Sequence, residues 1–83
     1  MSTLDDLASR LAEDTLKAQK ELGEDRLFME VSKVLGASSQ SLEEAYLTEV
    51  RMRLSEEQGR AFLVNHVKAA RAAKAAQAKP SDE

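Results

Sequence analysis

Apolar residues recur at helical spacing along most of this chain, and that periodicity limits what it can fold into. The alternation of apolar and polar residues that marks strands is absent, and only three Gly and one Pro occur among the 83 residues. β-branched and aromatic residues do not gather in short runs, as they do in strands. The sequence therefore predicts an all-α protein.

The first predicted helix covers residues 3–22. Thr3 with Asp6 resembles an N-terminal capping pattern, and Gly23 stands where a left-handed cap would end the helix. One apolar stripe, about 100° wide at 3.6 residues per turn, runs between them. Its members are Leu4, Leu7, Ala8, Leu11, Thr15, Ala18 and Leu22.

A second helix is predicted over 25–35, with Asp25 as its cap and Gly36 as its stop. Its apolar positions are Leu27, Phe28, Val31, Val34 and Leu35. The chain is therefore expected to reverse direction soon after Leu35.

Ser41 and Glu44 form a capping box that predicts a third helix over 41–54. The run Ser55-Glu56-Glu57-Gln58 is another start signal, so either a fourth helix covers 56–78 or one long helix bends there. A small bundle of three to four helices follows, with a disordered C-terminal end beyond it.

Charge divides the chain unevenly. Residues 1–57 carry 13 acids and 7 bases, a net charge of −6, whereas residues 58–81 carry 5 bases and no acid. We predict a helical domain over residues 1–67 and a basic extension rich in Ala and Lys over residues 68–83.

Self-association is predicted because a core of this size rarely supplies more than about 3–5 kcal/mol. The chain has no Cys with which to add disulfides. Surplus apolar face indicates a homodimer, or a complex with another helical protein, through Leu4, Leu7, Leu11, Leu22, Phe62, Leu63, His66 and Val67. In this interpretation His66 packs at the edge of the core or of the dimer interface.

Catalytic and metal-binding patterns are missing from the sequence. With one His and no Cys, a zinc site within the chain is not expected. No phosphate-binding Gly-rich loop is present, and short helices leave little volume for an active site. We therefore expect a non-enzyme without cofactor or small-molecule substrate. Without a long apolar run or a signal peptide, we also expect a cytoplasmic protein that does not enter membranes.

The segment from Val31 to Ala45 resembles the helix-turn-helix signature of bacterial regulators. A small residue, Ser32, precedes Gly36 by four positions, while Ser38 and Leu42 follow it by two and six. The resemblance implies that the residues after the turn face the DNA major groove, namely Ser38, Ser39, Gln40, Glu43 and Glu44. A glycine that ends one helix and a serine that starts the next give the same pattern in an ordinary helical corner.

The basic extension offers a second set of nucleic-acid contacts, at Lys68, Arg71 and Lys74. Steps of three residues turn successive charges by about 60°, which spreads them over a wide arc. The same cations would also complement a solvated helix C-terminus. A DNA-binding regulator with a basic arm is thus the alternative to the interaction module.

Overall fold

The structure, a computed structural model, describes residues 2–78 as three α-helices packed together: α1 (Thr3–Leu22), α2 (Leu27–Ser38) and α3 (Gln40–Ala78). The all-α prediction is confirmed, and the bundle has three helices. The prediction of a separate fourth helix was wrong, because α3 continues through Ser55 without a break. The predicted disordered end, residues 79–83, lies outside the described residues.

The ends of α1 follow from local chemistry. The Ser2 hydroxyl, one residue before the predicted cap, accepts a hydrogen bond from the Asp5 amide at 3.1 Å. Asp5 and Asp6 place negative charge in the first turn, where the helix dipole favours it. Gly23 ends the helix with φ +69°, a left-handed conformation that costs a residue without Cβ little. The predicted range 3–22 is confirmed.

The start of α2 corrects a predicted cap. Asp25 does not cap the helix, which begins at Leu27 after Arg26 and has no side-chain cap of its own. Instead the Gln19 side chain of α1 accepts a hydrogen bond from the Phe28 amide at 2.8 Å. An amide that would otherwise lack a partner is thus satisfied by a neighbouring helix.

A single residue, Ser39, joins α2 to α3. Its hydroxyl accepts a hydrogen bond from the Leu42 amide at 3.1 Å, so Ser39 caps α3 in place of the predicted Ser41 and Glu44 box. Gly36 lies inside α2, so its prediction as a stop was wrong. The hydrogen bonds from Tyr46 to Phe28 and from Ser32 to Glu43 show that α3 runs back along α2.

The core lies mainly between α1 and α3. Its buried apolar residues are Ala8, Ala12, Leu16, Tyr46 and Val50, with Leu11, Phe28, Val31, Leu35, Leu42, Ala45, Leu47 and Leu54 packed around them. On α1 the buried face is centred near Ala12, about 70° around the helix from the centre of the predicted stripe. The small side chains of Ala8 and Ala12 leave room for the Tyr46 ring, which is why the helix turns this face inward.

Candidate interaction surface

Within residues 2–78, no other helix packs against the last part of α3. Leu54 still packs against the core, and Glu57 is 3.5 Å from Lys20 of α1. Beyond Glu57, every side chain that the structure describes is exposed except that of Val67, which is half-buried. We call residues 58–78 the α3 extension. At 1.5 Å per residue it projects about 30 Å from the bundle.

The extension gives the molecule an elongated shape. The radius of gyration is 19.9 Å and the longest dimension is 72 Å. A compact chain of this length would have a radius of gyration of about 12 Å. The extension is rich in Ala, which favours helix, and it continues a helix already nucleated in the bundle.

Large apolar side chains stand on the extension near its base. Phe62 is 71% exposed, Leu63 54% and Val64 46%. The rings of Phe62 and His66, one turn apart, stack with their centres 5.8 Å apart. Of the four residues that the sequence predicted for an interface here, Phe62 and His66 are in contact, and Leu63 and Val67 lie on neighbouring parts of the same helix. His66 is exposed and not packed at the core of its own chain.

One line of uncharged residues lies opposite the basic residues of the extension, whereas Val64 and Val67 lie among the bases and Leu63 lies at their edge. The uncharged line, which we call the seam, recurs at steps of four and three residues: Phe62, His66, Ala69, Ala73 and Ala76. Such spacing is typical of a helix that pairs along one line with another helix. The bases lie on the side away from the seam, within an arc of about 120°: Arg60, Lys68, Arg71 and Lys74.

Most of these bases are free to act on another molecule. Arg60 pairs with Glu56 at 2.7 Å. Within residues 2–78, no carboxylate lies within 4.0 Å of Lys68, Arg71 or Lys74. The extension therefore presents a positive side with its charge uncompensated.

The α1 residues predicted for association differ in how exposed they are. Leu11 packs against the core, whereas Leu4, Leu7 and Leu22 are 39%, 50% and 62% exposed. They remain exposed because α1 turns a different face inward. Leu4 and Leu7 lie at the end of the bundle opposite the extension, about 25 Å along α1 from Leu22. The α1 leucines and the extension therefore do not form one surface.

Most of the residues predicted as helix-turn-helix contacts make hydrogen bonds at the junction between α2 and α3. The Ser38 hydroxyl donates to the Leu35 carbonyl at 3.4 Å, Ser39 caps α3, and Gln40 is exposed. The Ser32 hydroxyl donates to the Glu43 carboxylate at 2.8 Å. If residue 36 had a Cβ atom, that atom would lie 2.8 Å from a carboxylate oxygen of Glu43. Glu43 thus faces α2, and the small residues of the motif make room for it.

One cleft of the bundle lies between α1 and α3 and has a volume of about 550 Å³. Leu16 and Met52 line it together with seven charged residues of both signs: Glu13, Lys17, Lys20, Glu49, Arg53, Glu56 and Glu57. Nowhere in residues 2–78 do three His, Asp or Glu side chains converge as metal ligands would. No helix in that range has the length and apolar character needed to cross a bilayer.

A polar contact between α1 and α3 that sequence reasoning missed is made by Arg53. Arg53 donates to the Ser9 hydroxyl at 2.8 Å and to Glu49 at 2.6 Å, which ties α3 to α1. Only the Glu49–Arg53 spacing of four residues signals part of this contact in the sequence.

Comparison with known proteins gives no matching family model, no matching curated protein and no matching solved structure.

Proposed function

We propose that this protein is a non-enzymatic helical interaction module that forms a homodimer through the α3 extension. The observation that carries the proposal is the exposure of Phe62, 71%, on a helix with no partner in its own chain. Exposed apolar residues that follow one side of a helix are typical of protein interaction sites. The absence of Cys fits a reducing compartment such as the cytoplasm.

The exposed area also supports association. The accessible surface is 6508 Å². A compact monomer of the same mass would expose about 4,900 Å². The difference, about 1,600 Å², exceeds the roughly 800 Å² that each partner contributes to a standard protein–protein interface. The surplus surface is therefore large enough to include an interface of standard size.

Sedimentation velocity over a range of concentrations tests the proposal. We expect a species of twice the chain mass, which is 9.1 kDa. Phe62→Ala should raise the dimer dissociation constant about tenfold or more, because burial of a Phe side chain contributes about 1.5–3 kcal/mol. Val34→Ala on α2 is the matched control, since Val34 is also 71% exposed, and it should leave the constant unchanged. A monomer at high micromolar concentration would refute the proposal.

A second candidate function is nucleic-acid binding, which the unpaired Lys68, Arg71 and Lys74 favour. It predicts co-sedimentation with a mixed-sequence DNA duplex at low salt that disappears as salt rises. Replacing these three bases by Gln should abolish it. Replacing three exposed bundle bases, Arg10, Lys17 and Lys33, removes the same charge and should have little effect. Absence of binding at low salt would end this hypothesis.

A further inference from the structure

The side chains of the seam differ in size between the two ends of the extension. Phe62 and His66 stand near the bundle, whereas the line continues toward the tip only with Ala69, Ala73 and Ala76. Two copies paired in parallel would place Phe62 against Phe62 and leave the alanines facing one another across a wide gap. Two copies paired in antiparallel fashion would place each Phe62 over an Ala73, so large side chains fill the space beside small ones.

Charge leads to the same orientation. Residues 58–78 carry Arg60, Lys68, Arg71 and Lys74 and no acid, whereas residues 1–57 have a net charge of −6. Parallel pairing would bring two acidic bundles together and two basic tips together. Antiparallel pairing places the basic tip of each extension at the same end of the pair as the acidic bundle of the other copy. Net charges of opposite sign then lie at the same end of the pair, while the bases themselves point away from the seam and make no contact across it.

We infer that the α3 extensions of two copies pair antiparallel along the seam, with Phe62 of each copy over Ala73 of the other. This inference rests on the proposed dimerisation and specifies its geometry. His66 of one copy then faces Ala69 of the other on either side of the two-fold axis. The two bundles lie at opposite ends of a rod formed by the paired extensions. The occupant of the exposed surface is thus a second copy of this chain.

Single cysteines test the geometry cleanly because the chain has none of its own. In the antiparallel pair Ala73 lies over Phe62 of the other copy, while the two Ala73 positions are about 17 Å apart along the helix axis. A disulfide requires Cα atoms within about 7 Å. An equimolar mixture of Ala73→Cys and Phe62→Cys chains should therefore form a disulfide-linked heterodimer under mild oxidation, and neither variant alone should. A mixture of Ala73→Cys with Val34→Cys is the control for random collision and should not cross-link.

The outcomes separate this inference from the proposed function. Efficient cross-linking of Ala73→Cys alone would indicate parallel pairing and overturn the inference. If the mixture of Ala73→Cys and Phe62→Cys is tested at a concentration where it still sediments as a dimer and forms no disulfide, the inference is overturned and dimerisation stands. A wild-type chain that stays monomeric would refute both.

Discussion

Tyr46 is the single tyrosine of the chain and has no exposed surface in the bundle. Its hydroxyl donates to the Phe28 carbonyl of α2 at 3.0 Å. Burial raises the pKa of the Tyr46 phenol, and the Thr15 side chain offsets part of this rise. One residue therefore connects all three helices, and its absorbance reports on the core.

We predict that the folded protein forms phenolate above the ordinary pKa of tyrosine, about 10. As pH rises past this value, the unfolded chain loses its phenol proton first, so the free energy of unfolding falls until the folded-state pKa is passed. Tyr46→Phe removes the hydrogen bond to Phe28 and should lower the free energy of unfolding by about 0.5–1.5 kcal/mol near neutral pH. As pH rises above about 10, the free energy of unfolding should fall less for Tyr46→Phe than for the wild type. Absorbance titration and denaturant curves measure both effects, and a folded-state midpoint at or below 10 would contradict the prediction.

Gly36 and Gly59 lie inside helices and should respond differently to the same substitution. A Cβ at Gly59 meets nothing within 4 Å, so Gly59→Ala should add about 0.5–1 kcal/mol through helix propensity. A Cβ at Gly36 would be 2.8 Å from the Glu43 carboxylate. Gly36→Ala should therefore raise the free energy of unfolding less than Gly59→Ala does, because the Glu43 side chain must move and lose its hydrogen bond with Ser32.

The test for the two glycines is chemical denaturation at one low protein concentration. In a Glu43→Ala background the obstruction is gone, and Gly36→Ala should approach the gain seen for Gly59→Ala. Equal gains for the two substitutions in the wild-type background would show that Glu43 does not restrict Gly36.

At the scale of the elements, the helix ends show how much one helix depends on another. α1 is capped locally by Ser2 and Gly23, and α3 by Ser39. The first turn of α2, in contrast, relies on Gln19, which lies on α1. The start of α2 is therefore set only when α1 packs beside it.

We predict that Gln19→Ala destabilises the bundle by about 1 kcal/mol, the usual cost of losing a cap. Hydrogen exchange should show the loss most clearly at the Phe28 amide. Gln58→Ala is the control, because the Gln58 side chain is exposed and makes no hydrogen bond within residues 2–78. Equal effects of the two substitutions would mean that the cap contributes nothing beyond helix propensity.

The whole molecule combines a packed bundle with a helix that leaves it. The bundle has its own core around Tyr46 and Val50, and the last core residue of α3 is Leu54. The extension adds no side chain to that core. The first part of α3 therefore contributes to the core of the bundle, and the extension carries the proposed dimer interface.

We predict that a chain ending at Gln58 keeps the bundle but loses the dimer. Its Tyr46 should remain buried, as measured by near-ultraviolet circular dichroism, because every core residue is still present. Sedimentation should give a monomer at concentrations where the full chain is dimeric. If the shortened chain is still a dimer, the exposed α1 leucines, Leu4, Leu7 and Leu22, would be the interface instead.

The sequence by itself determined that the chain is all-helical, and it placed α1 correctly, because apolar periodicity and Gly23 act through local geometry. Phe62, Leu63, His66 and Val67 stay a predicted interface, and their exposure on the extension is compatible with that prediction. The division into domains at residue 67 stays a prediction, and α3 passes through that position without interruption.

Only the tertiary structure decided which face of α1 is buried, because the choice depends on the Tyr46 ring that Ala8 and Ala12 accommodate. It also replaced Asp25 by Gln19 as the cap of α2, since a side chain from another helix has no signature in the local sequence. The continuity of α3 through Ser55 was likewise beyond the sequence. A start signal there competes with helix propensity on both sides, and the packing of Leu54 and the pairing of Glu57 favour one unbroken helix.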